Sequence, residues 1–171
     1  MRPVLAALAA LALAACSPAA EPARPEAAPE PAPVLGGVDL TRPVRVLGNE
    51  PFWAVEMTGT EMVFTTPDRP GRRARRPDPL VQGTTATWET ETADGAALSV
   101  TLVATECSDG MSDRTYPLTA IVKLGDLTLT GCAASATAIR STGESGPVVD
   151  QGLRPPDRAA SASPPTGRRP R

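Results

Sequence analysis

The strongest constraint on the fold is a period-two alternation of apolar and polar side chains that runs through most of residues 38–140. It is clearest at 98–104, where every second residue is leucine, valine or alanine, and it recurs at 118–124. Successive side chains of a β-strand point to opposite faces, so this pattern is typical of strands with one buried face. No segment has a helical period long enough to compete. The sequence therefore predicts an all-β domain.

The alternation divides this region into about seven short strands separated by glycine, aspartate and other turn residues. Sequential strands with short connections favour a meander, in which neighbours along the chain are also neighbours in the sheet. We expect a small antiparallel meander barrel or sandwich. The predicted strands lie at 44–47, 53–57, 61–65, 86–91, 98–104, 118–124 and 127–129.

The first residues have the composition of an export signal. Arg2 precedes an Ala/Leu-rich run that is too short to span a bilayer and ends in Leu-Ala-Ala-Cys at 13–16. This ending resembles the lipobox of bacterial lipoproteins. The resemblance implies that residues 1–15 are a cleaved signal peptide, that Cys16 carries the lipid anchor, and that Ser17 directs the protein to the outer membrane, facing the periplasm. The alternative is an ordinary secreted protein.

The two ends of the chain lack the strand pattern. Residues 16–37 are mainly alanine, proline and glutamate, and residues 141–171 are rich in glycine, proline, serine and arginine. Neither segment has enough apolar side chains to offset the entropy lost on ordering. We predict a lipidated tether at 16–37 and a disordered tail at 141–171.

The complete sequence contains no histidine. This removes the usual general base, the histidine-activated nucleophiles and the commonest metal ligand. The D-x-x-x-D spacing of Asp109 and Asp113 lacks the remaining ligands of a calcium loop. No metal site, cofactor or catalytic residue is predicted.

Residues 69–76 contain five arginines in eight positions. We interpret them as a long exposed hairpin loop, for which phosphate-rich lipopolysaccharide is a natural anionic partner. A merely solvated loop is the alternative. The formal net charge is −2 and no aromatic residue is interleaved with these arginines, so no nucleic-acid partner is expected.

Two of the three cysteines remain once Cys16 is assigned to lipid. In an oxidising compartment, two cysteines leave none unpaired. Counting along the strands places Cys107 and Cys132 on the face away from the leucine stripes. A disulfide between them would close a loop of about 26 residues, which the chain-entropy model values at about 3.5 kcal/mol. The alternative is two reactive thiols, although no C-x-x-C motif and no neighbouring lysine favours it.

Three ordered motifs lie in the predicted domain: Gly-Asn-Glu-Pro-Phe-Trp at 48–53, Cys-Ser-Asp-Gly-Met-Ser-Asp-Arg-Thr-Tyr-Pro at 107–117, and Leu-Thr-Gly-Cys-Ala at 129–133. The first two patterns, G-N-E-P-F-W and C-x-D-x-M-S-x-x-x-Y-P, resemble a family of uncharacterised bacterial envelope lipoproteins. That family is loosely similar to the META and heat-shock-lipoprotein type of small β-domain. The resemblance implies a lipid-anchored envelope domain and carries no activity with it.

Each motif has a structural and a functional interpretation. Structurally, one aromatic of 50–53 enters the core, and 107–117 supplies turns, with Met111 filling a gap and the Tyr116 hydroxyl bonding to a loop carbonyl. Functionally, the two segments meet and form a pocket, so that Trp53 lies near Met111 and Tyr116. The candidate binding residues are then Glu50, Phe52, Trp53, Asp109, Met111, Ser112, Asp113 and Tyr116.

The sequence favours a non-enzymatic binding or envelope-maintenance module whose ligand is lipopolysaccharide, peptidoglycan or another protein. One alternative is a small cell-wall-acting hydrolase that uses acidic residues, and another is a purely structural envelope component. The closest pair of acids, Glu89 and Glu91, is predicted to share one solvent-facing side of a strand.

Overall fold

The computed structural model describes residues 32–150, which form fourteen β-strands and one short α-helix. In chain order these are β1 (Val34–Leu35), β2 (Val38–Asp39), β3 (Val44–Asn49), β4 (Phe52–Met57), β5 (Glu61–Thr66), β6 (Arg69–Arg75), β7 (Leu80–Gln82), β8 (Thr85–Glu91), β9 (Ala97–Val103), β10 (Cys107–Ser108), β11 (Asp113–Tyr116), β12 (Leu118–Leu124), β13 (Leu127–Ser135), α1 (Ala136–Ser141) and β14 (Ser145–Pro147). The predicted signal peptide 1–15, the lipidation site Cys16, most of the tether and the end of the tail lie outside the described residues.

The main element is one antiparallel sheet of nine strands, counted within residues 32–150, in the order β6-β5-β4-β3-β13-β12-β9-β8-β7. It is curled into a half-barrel. An antiparallel bridge between Ala74 and Thr92 brings β6 against the end of β8. The all-β antiparallel prediction is confirmed. Strands β3 to β6 form one run of the sheet and β13-β12-β9-β8-β7 the other. The two runs meet at the β3–β13 pair, where Leu47 lies opposite Cys132 and Val44 opposite Ser135.

The inner face of the curled sheet carries the core. Alternate residues of each strand are buried there, as the period-two pattern predicted, and Trp88, Met57, Leu98 and Val122 are almost fully enclosed. Burying a side chain of this size stabilises the fold by about 1.5–3 kcal/mol. Glu89 and Glu91 lie on the opposite, exposed face of β8, as expected.

The hairpin of β1 and β2 covers one side of this core with Leu35, Val38 and Leu40. Its two-residue turn is Gly36-Gly37, and both glycines have positive φ, at 54° and 79°. A two-residue hairpin of this kind requires left-handed backbone at both positions, which glycine adopts without steric cost. The sequence analysis had placed both glycines at the end of the tether, 16–37. Strand β1 begins at Val34, so the fold starts before residue 38.

The interpretation of 69–76 as an exposed loop is wrong, because most of this segment is strand β6, paired with β5. Ala74 is buried between exposed neighbours. Arg72, on the same face of the strand as Ala74, pairs with Asp94 at 2.6 Å, and Arg73, on the opposite face, pairs with Glu61 at 2.5 Å. The arginine density hid the strand pattern, since in this segment only the small Ala74 marks the inward face. Two of the five arginines in this segment are therefore compensated by a nearby carboxylate.

Arg76 is the exception, because its side chain enters the core region and is only 8% exposed. Its guanidinium donates to the carbonyl oxygens of Thr58, at 2.8 Å, and of Leu40, and it lies 5.8 Å from the centre of the Trp88 ring. Burial lowers the pKa of Arg76 from its ordinary value. The group remains charged, and its hydrogen bonds compensate part of the cost of desolvation.

The ordered fold also extends past residue 140, into the segment predicted to be a disordered tail. Helix α1 was not predicted, and β14 pairs in parallel with β11. Val148 follows β14 and is fully buried beside Tyr116 and Ala138. The buried Val148 and the pairing of β14 with β11 hold this segment, although its composition is typical of a chain without secondary structure.

We expect Arg76→Ala to lower the free energy of unfolding by about 2–4 kcal/mol, because several backbone carbonyls lose a charged donor at once. The neighbouring Arg75→Ala is the matched control, since that side chain is exposed, and a change within about 0.5 kcal/mol is expected there. Chemical denaturation of both variants measures the difference. Equal effects would contradict the structural role of Arg76.

Candidate functional site

The predicted site segments meet at the end of β3. Asn49 donates a hydrogen bond through Nδ2 to the carbonyl oxygen of Asp109 at 2.7 Å, which joins 48–53 to 107–117. Two cavities lie on either side of this junction, and Leu47, Gly48 and Asn49 line both of them.

The first cavity is a groove of about 590 Å³ on the outer face of the sheet. It runs over β3, β4 and β5, and α1 contributes part of its wall. We call it the arginine groove after its three basic side chains. Its main lining residues are Arg45, Leu47, Phe52, Arg114, Ile139 and Arg140, and the buried residues Trp53 and Tyr116 also border it.

The second cavity has a volume of about 540 Å³ and lies under the 107–117 loop. We call it the loop cavity. It is lined by the loop, by the disulfide and by the neighbouring strands, and its acidic side chains are Glu50 and Asp109. Met111 lines it but is 67% exposed, so this side chain does not fill a gap in the core.

The candidate residues are thus divided between two places. Phe52, Trp53 and Tyr116 line the arginine groove, whereas Glu50, Asp109 and Met111 line the loop cavity. Ser112 and Asp113 line neither cavity. Trp53 shares a cavity with Tyr116, as expected, but not with Met111.

The two aromatics of β4 point to opposite faces, as predicted. Trp53 is buried on the inner face and stacks on Phe64 with ring centres 6.3 Å apart. Phe52 is 53% exposed on the outer face. A large apolar side chain in the open mouth of a groove contributes little to folding and is available to a ligand.

A disulfide joins Cys107 to Cys132, with the Cα atoms 5.5 Å apart, which confirms the predicted pair. Cys132 lies on the outer face of β13 and is buried with Tyr116, Ala134 and Val148. The bond fixes the start of the 107–117 loop to the central sheet. The loop is therefore held by the disulfide at its start and by the buried ring of Tyr116 near its end.

Asp109 organises the interior of that loop. Its Oδ1 accepts hydrogen bonds from the backbone N–H groups of Met111, at 3.0 Å, and Ser112, at 2.9 Å. Its Oδ2 accepts from the hydroxyl groups of Ser112, at 2.8 Å, and Tyr116, at 3.0 Å. The Tyr116 hydroxyl was predicted to bond to a loop carbonyl; it binds this carboxylate instead, since a charged acceptor forms the stronger hydrogen bond.

These contacts shift the pKa values of Asp109 and Tyr116 in opposite directions. Burial alone would raise the pKa of Asp109, but the hydrogen bonds from Met111, Ser112 and Tyr116 outweigh it and hold the pKa below its ordinary value. Burial raises the pKa of Tyr116, and the neighbouring Asp109 carboxylate adds to the rise. Asp109 therefore stays ionised near neutral pH and has no proton to give to a substrate.

The charge of the arginine groove is all of one sign, because the side chains that line it include three arginines and no carboxylate. Arg45 forms an ion pair with Glu56 beside the groove. Arg114 donates through Nε to the carbonyl of Gly143 at 2.6 Å and lies 3.5 Å from the Glu144 carboxylate. Both acids lie outside the lining, so every charged side chain that lines the groove is an arginine, and Arg140 is the one without a carboxylate partner among the described residues.

Helix α1 supplies Ile139 and Arg140 to the groove. It begins after Ser135, whose hydroxyl accepts hydrogen bonds from the backbone N–H groups of Thr137 and Ala138. Ser135 also donates to Asp150 at 3.0 Å. Sequence reasoning missed this helix and the three groove arginines. The available signals were the serine N-cap before an alanine-rich turn and the position of Arg45 between two buried valines.

Within residues 32–150 no group of three or more acidic or cysteine side chains could hold a metal ion. The same part of the chain contains no helix long and apolar enough to cross a membrane. No protein-family model, curated protein or solved structure matches the chain. The site is therefore interpreted from its own residues.

Asp109→Asn should lower the free energy of unfolding at neutral pH by about 1–2 kcal/mol, because the amide cannot satisfy four donors as a carboxylate does. Because the folded-state pKa of Asp109 is depressed, its contribution is present above the unfolded value of about 3.9 and is lost as pH falls through the folded value. The difference between wild type and variant should therefore shrink in acid.

Denaturation curves at several pH values between neutral and acidic conditions measure this difference. Asp113→Asn is the matched control, since Asp113 is an exposed carboxylate of the same loop. A stability difference for Asp109→Asn that stays constant with pH would contradict the role assigned to its charge.

Proposed function

We propose that this protein is a lipid-anchored component of the bacterial envelope that binds a ligand in the arginine groove without turning it over. The observation that carries the proposal is the groove itself: Phe52 is exposed beside Arg45, Arg114 and Arg140, and no carboxylate lines the same surface. A volume of about 590 Å³ is within the usual range for small-molecule sites.

The chemistry of the site favours binding over catalysis. The chain has no histidine, and Asp109 is ionised and engaged by four donors. The other acid of the loop cavity, Glu50, is exposed at the β3–β4 turn. A hydrolase that relies on acidic residues needs one carboxyl group with a raised pKa beside a second, ionised one. This pair of environments is not found among the described residues of the two cavities.

The proposed location depends on the ends of the chain. Leu-Ala-Ala-Cys at 13–16 supports cleavage before Cys16 and lipidation of its sulfur, and Ser17 supports the outer membrane, facing the periplasm. Membership of the envelope lipoprotein family is part of the same proposal. It is supported by the position of two motifs, 48–53 and 107–117, which meet at the walls of both cavities.

If Cys16 carries the anchor, Cys16→Ala should abolish labelling of the protein with a radioactive fatty acid, because the modified sulfur is gone. Labelling of the wild type in bacterial cells followed by membrane fractionation provides the measurement. Cys107→Ser with Cys132→Ser is the control for general loss of thiols, and it should leave labelling intact. Equal labelling of the Cys16→Ala variant would refute lipidation at this position.

For the binding function, we expect one class of envelope molecule to raise the melting temperature of the wild-type protein and Phe52→Ala to weaken that binding about tenfold. Removing an exposed ring that a ligand covers loses roughly 1.5–3 kcal/mol. The panel consists of peptidoglycan fragments, lipopolysaccharide and short-chain phospholipids. Leu80→Ala is the matched control, because Leu80 is 63% exposed on β7, outside the groove.

If no molecule of the panel raises the melting temperature, the binding function is contradicted and a structural role remains. The same holds if Phe52→Ala shows a shift as large as that of the wild type. Release of soluble glycan from peptidoglycan would instead favour the hydrolase.

A further inference from the structure

The charge of the arginine groove indicates what kind of molecule it takes. Arg45 is paired with Glu56, and Arg114 lies 3.5 Å from Glu144, which is 96% exposed. Arg140 has no carboxylate within ion-pair distance among the described residues. Of the three groove arginines, Arg140 is thus the one whose charge no carboxylate in the described part of the chain compensates. On β6, Arg72 and Arg73 each have a close carboxylate, as Arg45 does, and Arg76 is enclosed.

The side chain of Arg114 is already held in place before any anion binds. Its side chain is 19% exposed, and its Nε and Nη2 groups donate to the carbonyls of Gly143 and Thr142 at 2.6 and 3.1 Å. A guanidinium has five N–H donors, so several remain for an anion in the groove. Because the side chain is already held in place, little conformational entropy is lost when an anion binds.

The rest of the lining is apolar. Leu47, Phe52 and Ile139 line the same groove as the three arginines. A free inorganic anion would leave this surface exposed to water. An anionic group attached to a hydrocarbon body satisfies both parts of the lining, since guanidinium groups bind phosphate oxygens in pairs and the apolar residues cover methylene groups.

We propose that the arginine groove binds the phosphate head group and the adjoining hydrocarbon of an anionic phospholipid. This assignment rests on the proposed binding function of the same groove. The uncompensated charge of Arg140 also explains selectivity, because a zwitterionic phospholipid would bring its ammonium group against a like charge. The groove admits a head group and the upper part of the chains, and the remaining hydrocarbon extends outwards.

Calorimetric titration of dihexanoyl-phosphatidylglycerol, below its micelle-forming concentration, tests the assignment. The protein is the mature chain from residue 16 with Cys16→Ser, so that its own lipid does not compete. We expect saturable binding that weakens as salt is raised. Dihexanoyl-phosphatidylcholine and inorganic phosphate should each bind at least about tenfold more weakly, because one adds a repelled cation and the other lacks the hydrocarbon.

Arg140→Gln should weaken phosphatidylglycerol binding about tenfold, as expected for loss of a charge-assisted hydrogen bond. Arg75→Gln is the matched control, because Arg75 is an exposed arginine on β6 that does not line the groove, and it should bind as the wild type does. Equal weakening by both variants would show a general charge effect and overturn the site.

The remaining outcomes separate the two proposals. Equal affinity for phosphatidylcholine, or tighter binding of a peptide of residues 17–31, which carries Glu21, Glu26 and Glu30, would overturn the phospholipid assignment. If phosphatidylglycerol does not bind but another envelope molecule binds in a Phe52-dependent way, only that assignment fails. If no molecule binds in a Phe52-dependent way, the proposed binding function fails as well.

Discussion

The structure depends on the packing of Trp53 against two glycines on neighbouring strands, Gly48 of β3 and Gly131 of β13. A Cβ atom at Gly48 would lie 2.3 Å from Nε1 of Trp53, and one at Gly131 would lie 2.1 Å from the carbonyl oxygen of Leu47. Only glycine at both positions lets β3 and β13 pair while the indole ring covers them. This pair joins the two runs of strands into one curled sheet, so the core on its inner face depends on it.

The same junction creates the site on the outer face. With β3 and β13 paired, Cys132 faces outward and holds Cys107, and Asn49 reaches the 107–117 loop. The closed loop is worth about 3.5 kcal/mol by the chain-entropy model. The end of β3 then separates a groove lined only by positive charge from a cavity that carries two acids. The fold thereby offers two chemically different surfaces a short distance apart.

Much of the fold follows from period two, and part of the site does as well. Alternation correctly placed Trp53 inside and Phe52 outside, and it set Cys107 and Cys132 on a common face. It failed at β6, because Arg72 shares the inward face with the small Ala74, and because Arg72 and Arg73 pair with acids distant in sequence. It also failed at β14 and Val148, which are ordered by contacts with β11 and the Tyr116 cluster rather than by local preference.

The sequence by itself determined the fold class and favoured the disulfide, because strand parity and cysteine number are local or countable properties. Only the tertiary structure decided that Arg45, Arg114 and Arg140 share one groove, since they lie on β3, β11 and α1, far apart along the chain. It also decided that Asp109 is a structural carboxylate, because its hydrogen-bond partners converge only when the loop is closed. Ion pairs and hydrogen bonds depend on distances in the folded chain, so a pattern along the sequence does not show which of these groups meet.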